Sequence, residues 1–199
     1  KGNIIFQLVA GNQKRFGNKP KDVVAVPVLK DLAKIYKINL GAVNGGEGSI
    51  TITNQLLNTW MTSVEAIDSI AMQNTPKVNK ISFKTMAETL AGFGMGEIIP
   101  FDAMEIPMYI LTNEKMIGGA STILYPNIMN VLAEKLNDNL IVIPSSIHEA
   151  IIIPASNIES LSDIARMIVE VNQNCVSPEE ILGDHPYMFY RKEQRLVAA

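Results

Sequence analysis

Residues 140–154 read Leu-Ile-Val-Ile-Pro-Ser-Ser-Ile-His-Glu-Ala-Ile-Ile-Ile-Pro, which is two apolar runs around a polar pentapeptide. Residues 140–143 and 150–153 are apolar at every position, a pattern typical of strands that are covered on both faces. The proline after each run cannot donate to a β-ladder, so it marks the end of the strand. We therefore predict a central β-hairpin closed by residues 145–149, named here the 145–149 loop.

Two further strand pairs are predicted earlier in the chain. Residues 32–40 and 49–54 flank a glycine-rich connection, and residues 106–112 and 120–125 flank a turn with two glycines. Apolar and polar residues alternate over residues 49–54, as they do in a half-buried strand. These pairs add four strands to the central hairpin.

Helix starts are indicated by four capping boxes, in which Ser or Thr is followed three residues later by Glu. The boxes are Thr62 with Glu65, Thr85 with Glu88, Ser156 with Glu159, and Ser177 with Glu180. The spacing of apolar residues predicts helices over residues 63–73, 86–91 and 126–137 and after Ser156, and it also favours a helix over residues 4–16.

These elements predict an α+β fold, with an antiparallel or mixed sheet of about six strands and amphipathic helices mainly on one face. We expect a single domain over residues 1–199, or two subdomains, 1–91 and 104–199, joined by a Gly/Pro-rich loop. Within that loop, residues 92–96 read Gly-Phe-Gly-Met-Gly, but they follow a helix and precede no Lys-Ser or Lys-Thr pair. We interpret them as a helix end rather than a phosphate loop, and we predict no cofactor.

Composition narrows the classes of partner. The 199 residues are 47% hydrophobic and 19% charged, which is typical of a soluble globular chain with a buried core. A net charge of −3 disfavours nucleic acid as a partner. The one basic cluster, Arg191, Lys192 and Arg195, is interpreted as a solvated face. No apolar run approaches the roughly 18 residues that a membrane-spanning helix needs, so no membrane partner is predicted.

Cys175 is the single cysteine, so the chain cannot form an internal disulfide. This fits a reducing compartment, and we expect the cytoplasm. The first methionine is Met61, so we expect the sequence to be an excerpt or a processed product.

The 145–149 loop is the most polar segment between buried strands. Its Ser145, Ser146, His148 and Glu149 offer hydroxyl, imidazole and carboxylate groups, which are the components of an acid–base or nucleophilic set. Serines in tight turns more often cap backbone groups, however, and adjacent side chains such as those of His148 and Glu149 tend to diverge. Two functions stay open: a non-catalytic interaction or regulatory domain with an unknown protein partner, which we favour, and a hydrolase-like enzyme centred on this loop, with His185 as a further candidate.

A metal site would need the C-terminal segment to fold back onto the hairpin. His148, Glu149, Asp184 and His185 could then converge, but nothing in the sequence requires it. No second histidine follows His148-Glu149 one helical turn later, so the zincin pattern is absent. We predict no metal.

Several strings spread along the chain resemble DUF5688, a bacterial family of unknown function. The resemblance is carried by residues 106–113 (Ile-Pro-Met-Tyr-Ile-Leu-Thr-Asn), 119–126 (Gly-Ala-Ser-Thr-Ile-Leu-Tyr-Pro), 143–149 (Ile-Pro-Ser-Ser-Ile-His-Glu), 71–76 (Ala-Met-Gln-Asn-Thr-Pro) and 176–182 (Val-Ser-Pro-Glu-Glu-Ile-Leu). It implies a bacterial source, mainly among gut anaerobes, and makes the 145–149 loop part of the family pattern. It implies no activity, cofactor or catalytic residue.

Overall fold

The computed structural model describes residues 2–11, 22–43, 46–94 and 106–199. In these residues, ten strands form two sheets and five α-helices pack against them, so the predicted α+β class is confirmed. Every strand pairing in these ranges is antiparallel. Most of the Gly/Pro-rich loop, including part of the 92–96 string, lies outside the described residues.

The first sheet is built around a long strand, β3 (Leu32–Val43). On one side β3 pairs with β1 (Ile4–Ala10), and on the other with β2 (Ala25–Leu29) and then β4 (Gly46–Thr51). The predicted pairing of residues 32–40 with 49–54 is therefore confirmed, although the second strand ends at residue 51.

The helix favoured over residues 4–16 was wrong, because residues 4–10 form strand β1. Its apolar residues are buried on both faces, so the sequence lacks the alternation that would have indicated a strand. Side chains cover its outer edge, because the Phe6 N–H donates to Thr75 Oγ1 (3.0 Å) and the Leu8 N–H donates to Ser121 Oγ (2.9 Å). Residues 12–16 of the predicted helix lie outside the described residues.

Two consecutive helices, α1 (Asn54–Trp60) and α2 (Val64–Val78), cover the face of the first sheet that carries Phe6 and Tyr36. Helix α1 was not predicted. Helix α2 confirms the prediction for residues 63–73 but continues to Val78. Its cap is Ser63, whose hydroxyl accepts from the Ala66 N–H, so the predicted capping box at residue 62 was wrong by one position.

The second sheet has the strand order β10-β9-β7-β8-β6-β5. The hairpin of residues 140–154 is thus central, as predicted, and its two strands pair in antiparallel register. The strands are β5 (Ile81–Thr85), β6 (Tyr109–Asn113), β7 (Leu140–Ile143), β8 (Ala150–Pro154), β9 (Tyr187–Tyr190) and β10 (Arg195–Ala198).

Helices cover both faces of the second sheet rather than mainly one. Helix α4 (Ile128–Leu136), which confirms the prediction for residues 126–137, packs on the face that carries Val142. Helix α5 (Leu161–Cys175) places Ile168 against Ile141 on the opposite face. Because β7 is buried on both faces, it needs a cover on each. No helix in the described ranges is both long and apolar enough to span a bilayer.

The strand predicted over residues 120–125 was wrong, since residues 119–124 form a 3₁₀ helix. Hydroxyl groups favour this compact turn, because Thr122 Oγ1 donates to the Gly119 carbonyl at 2.7 Å. Strand β6 pairs instead with β5 and β8. The count of about six strands in one sheet was likewise too low, because the first sheet adds four.

One of the four predicted capping boxes is present as predicted. Helix α3 (Met86–Gly92) begins after Thr85, whose hydroxyl accepts from the Glu88 N–H while the Glu88 carboxylate accepts from the Thr85 N–H. The two boxes predicted nearer the C-terminus, at Ser156 and Ser177, were wrong. Helix α5 is capped by Ser160 instead, and Ser177 begins a turn that no helix follows. A Ser-x-x-Glu string is short enough to recur in turns that no helix follows.

Candidate functional site

The 145–149 loop closes the β7–β8 hairpin and is held by its own side chains. Ser146 Oγ donates to Glu149 Oε1 at 2.9 Å and accepts from the His148 N–H at 3.0 Å. Ser146 is only 6% exposed, so its hydroxyl is enclosed by the turn that it stabilises. This is the local capping use of serine that competes with any role toward a ligand.

The ring of His148 lies between two other segments. The Gly118 N–H donates to Nδ1 at 3.3 Å, and Nε2 lies 3.3 Å from Glu180 Oε1. Because an N–H group faces Nδ1, that nitrogen is the acceptor, and this network assigns the ring proton to Nε2. The ring thus joins the segment before the 3₁₀ helix to the turn after α5.

The backbone of the loop is also hydrogen-bonded to neighbouring segments. The Ile147 N–H donates to the Glu180 carbonyl at 2.9 Å, and the Thr112 hydroxyl donates to the His148 carbonyl at 2.7 Å. Gly119 lies against this point: a Cβ there would meet the Thr112 hydroxyl, the His148 carbonyl and, at 2.8 Å, the amide nitrogen of residue 113. Only glycine fits this close approach of two backbones.

A cleft of about 270 Å³ opens beside the loop, between it and the first sheet. His148 and Ile147 form part of one wall, whereas Ser145, Ser146 and Glu149 do not line the cleft. Among the residues that the structure describes, the other ionisable side chains of its lining are Lys37, Glu47 and Lys115. The cleft is lined by Ile5, Phe6, Gln7, Lys37, Asn39, Glu47, Gly48, Ser49, Asn79, Lys115, Ile117, Gly118, Ile147 and His148.

His185 is bound to a different part of the chain. Its Nε2 lies 2.6 Å from Asp31 Oδ2, and its Nδ1 lies 2.9 Å from the Pro186 carbonyl oxygen. This contact links the segment before β9 to the β2–β3 turn, and so links the two sheets. The Glu149 carboxylate instead accepts from Ser146, and Asp184 accepts from Asn172 Nδ2 at 3.1 Å. Among the residues that the structure describes, no group of three or more His, Cys, Asp and Glu is arranged to hold a metal ion.

A buried ionic group that was not singled out from the sequence lies under α2. Lys34 pairs with Asp68, whose Oδ1 also accepts from the Tyr36 hydroxyl at 2.8 Å. Burial, followed by the hydrogen bond to Asp68, raises the pKa of Tyr36. The sequence carried one signal for this group, which is a lysine, Lys34, among the apolar residues of a strand. Because a buried lysine requires a partner, an acidic residue was to be expected near it. This group does not line the cleft.

The C-terminal basic cluster is partly paired. The Arg191 guanidinium donates to both carboxylate oxygens of Glu134, at 2.8 and 2.7 Å, and this contact lowers the pKa of Glu134. Such a bidentate pair occupies the donors that an arginine would offer to a phosphate.

Comparison with known proteins identifies the family. The sequence model of the family of unknown function DUF5688 matches residues 1–191 of the 199. The chain belongs to DUF5688. No curated protein and no solved structure matches it. Within DUF5688, then, any role for the loop and the cleft has to be argued from this chain's own geometry.

Proposed function

We propose that this DUF5688 chain is a non-catalytic interaction or regulatory domain. The observation that carries the proposal is the placement of Ser146. A nucleophile has to reach the substrate and be activated by a base, but this hydroxyl is enclosed, lines no part of the cleft and donates to Glu149. The pentapeptide that most resembles a catalytic set is therefore used to close a turn.

The state of His148 supports the same proposal. A general base needs an unprotonated nitrogen within reach of the proton that it takes. In this chain the Gly118 N–H faces Nδ1, and Nε2 faces Glu180, so each ring nitrogen has a partner within the protein. Neither partner is a serine hydroxyl.

Exposed apolar surface lies away from the loop, as an interaction domain requires. Trp60 and Met61 protrude where α1 ends, and Met61 is 92% exposed. With Ile38 and Ile70 they line a groove of about 390 Å³ on the first sheet. A protein partner that covered these side chains would remove apolar area from water.

A second candidate, a hydrolase-like enzyme centred on Ser145, Ser146, His148 and Glu149, is favoured by one observation. His148 lies on the wall of a cleft with the Glu180 carboxylate 3.3 Å from Nε2. A histidine oriented by a carboxylate is the usual partner of an activated nucleophile.

Labelling with a fluorophosphonate, which reacts with activated serines, separates the two candidates. The full chain, Ser146→Ala and His148→Ala would be treated in parallel, and the modified residues would be mapped by mass spectrometry. We expect no labelling of Ser145 or Ser146 above that of the heat-unfolded chain. Labelling of either serine that disappears in His148→Ala would overturn the non-catalytic proposal.

A capture experiment addresses the interaction role itself. The full chain and His148→Ala would be used as baits in the cytosol of the source cell. We expect the same partners with both baits, because the proposed contact surface lies away from the loop. Partners that are lost with His148→Ala, although the variant stays folded, would place recognition at the loop instead.

We further propose a bacterial cytoplasm as the compartment, and a protein rather than a nucleic acid as the macromolecular partner. The single cysteine supports the compartment. The net charge of −3 and the pairing of Arg191 with Glu134 support the choice of partner.

A further inference from the structure

We propose that the cleft beside the 145–149 loop binds a compact, neutral ligand that carries a primary carboxamide. The ligand pairs this group with the Gln7 side chain and packs its aliphatic part against Ile5, Ile117 and Ile147. The inference rests on the proposed function, since a regulatory domain binds its ligand without converting it. It assigns the ligand to the cleft and leaves the protein partner on a different surface.

The side-chain amide of Gln7 carries the inference. Gln7 is only 9% exposed, and among the residues that the structure describes its Oε1 and Nε2 have no hydrogen-bond partner. An amide has both donors and acceptor lone pairs, and leaving these groups unpaired at a largely buried position costs free energy. A ligand that offers an acceptor and a donor side by side would satisfy both groups at once.

The same amide can be reached from the cleft. Gln7 and Ile5 both line the cleft and are two residues apart in β1, so their side chains share one face of the first sheet. A Cβ at Gly118, which also lines the cleft, would lie 3.6 Å from Gln7 Nε2. In the described ranges, the unpaired side-chain atoms that are sealed from solvent belong to Asn130 and Tyr187. The amide of Gln7 therefore opens into the cleft.

The charges of the lining favour a neutral ligand. Lys115 Nζ lies 2.9 Å from Glu47 Oε1, and Lys37 is likewise engaged in an interaction of its own. An anion would have to compete with these interactions, and at Lys115 it would lie beside the Glu47 carboxylate. Because like charges side by side repel, an anion loses there what it gains from the lysine. A carboxamide carries no net charge and avoids this cost.

The apolar lining accounts for the aliphatic part of the ligand. Ile5, Ile117 and Ile147 line the cleft together with its polar groups, and Ile117 is 56% exposed. A branched aliphatic chain would cover part of this surface and remove it from water. Because the cleft is smaller than the roughly 300–1,000 Å³ usual for drug-sized ligands, we expect a compact ligand.

The turn that presents Ile117 and Gly118 to the cleft is fixed before any ligand arrives. Asn113 is fully buried, its Oδ1 accepts from the Lys115 N–H at 3.0 Å, and its Nδ2 donates to the Ile117 carbonyl at 2.8 Å. The next N–H, that of Gly118, donates to His148 Nδ1. Such prior ordering lowers the entropic cost of binding.

Nuclear magnetic resonance titration of the ¹⁵N-labelled chain tests the inference, because the side-chain NH₂ group of Gln7 gives a signal of its own. Isovaleramide would be the probe. Methyl isobutyl ketone keeps its shape and carbonyl but lacks the donor, isovalerate replaces the amide with a charged carboxylate, and acetamide lacks the branched chain. We expect saturable shifts from isovaleramide at the Gln7 NH₂ group and at the backbone amides of Gly118 and His148. Binding should be about tenfold weaker for each of the three analogues.

Three variants locate the contributions of the amide and the apolar wall. Gln7→Met keeps the length of the side chain but removes its hydrogen-bonding groups, and it should weaken isovaleramide binding about tenfold. Gln73→Met makes the same change at an exposed glutamine of α2 outside the cleft and should leave binding unchanged. Ile117→Ala removes part of the apolar wall and should weaken binding about threefold.

Absence of saturable shifts from isovaleramide would overturn the inference. So would equal binding of the ketone or of isovalerate, or unchanged binding by Gln7→Met. The analogues are compared on the unaltered chain, so they decide the matter even if Gln7→Met does not fold. None of these results touches the proposed function, which fails instead on labelling of Ser145 or Ser146.

Discussion

The 145–149 loop and the cleft beside it are both polar, but they use their polar groups differently. In the loop, the Ser146 hydroxyl, the His148 ring and the Glu149 carboxylate are bound to one another, to backbone N–H groups or to the Glu180 carboxylate. In the cleft, the pair of Lys115 and Glu47 is open to solvent. The comparison teaches that the types of residue in a polar site do not decide whether it can bind a ligand. What decides it is whether their polar atoms are open to a ligand or already bound within the protein.

The largest loss of stability should come from adding a side chain at Gly119, where the loop packs against the start of the 3₁₀ helix. Gly119→Ala would force a Cβ against the Thr112 hydroxyl and the His148 carbonyl, and neither group can withdraw without breaking the hydrogen bond that the Thr112 hydroxyl donates to this carbonyl. We expect a loss of about 3 kcal/mol in the free energy of unfolding, measured by urea denaturation.

Gly92→Ala is the matched control, because nothing lies within 4 Å of a Cβ at that position. It should leave the stability unchanged or slightly raised. If Gly119→Ala were equally neutral, the loop would not be held against the 3₁₀ helix as described.

The next largest loss of stability should come from removing the Ser121 hydroxyl, which, like that of Ser146, is hydrogen-bonded within the protein. Ser121→Ala removes the acceptor for the buried Leu8 N–H on the outer edge of β1. An unsatisfied buried donor costs about 2 kcal/mol, so the midpoint of urea unfolding should fall. The exposed Ser69 in α2 provides the comparison, and Ser69→Ala should change stability by less than about 0.5 kcal/mol. Equal midpoints for the two variants would mean that the edge of β1 is open.

The share of the fold that could be predicted from the sequence differs between the two sheets. The β7–β8 hairpin was predicted in place and order, because two fully apolar runs with terminal prolines leave few alternatives. Strand β1 was not, because a strand buried on both faces carries apolar residues at helical as well as strand spacings. Residues 119–124 were predicted wrongly for a different reason, since the Thr122 hydroxyl bonds to the Gly119 carbonyl and favours a compact 3₁₀ turn over a strand.

For the site, the sequence identified the loop but not the surroundings that decide its use. The contact of His148 with Glu180 spans 32 residues, and that of His185 with Asp31 spans 154. The cleft brings together side chains from the first sheet and the turn of residues 114–118. No local pattern encodes contacts made across such distances. Whether Ser145, Ser146, His148, Glu149 or His185 takes part in catalysis stays a prediction for the labelling experiment.

The smallest effect on stability should come from the cleft. Lys115→Met breaks an ion pair that is exposed on both sides, so the free energy of unfolding should change by less than about 0.5 kcal/mol. Thermal or urea unfolding of the variant checks this. A loss as large as that of Ser121→Ala would show that the lysine is committed to the fold, as the loop residues are.

The most direct test of the central claim, that the polar groups of the loop hold the turn together, is a double-mutant cycle on Ser146→Ala and Glu149→Ala. The free energies of unfolding of the wild type, both single variants and the double variant give the coupling between the two side chains. We predict a coupling of about 1 kcal/mol, because the Ser146 hydroxyl donates to Glu149. A coupling of zero, with each single variant as stable as the wild type, would contradict this account.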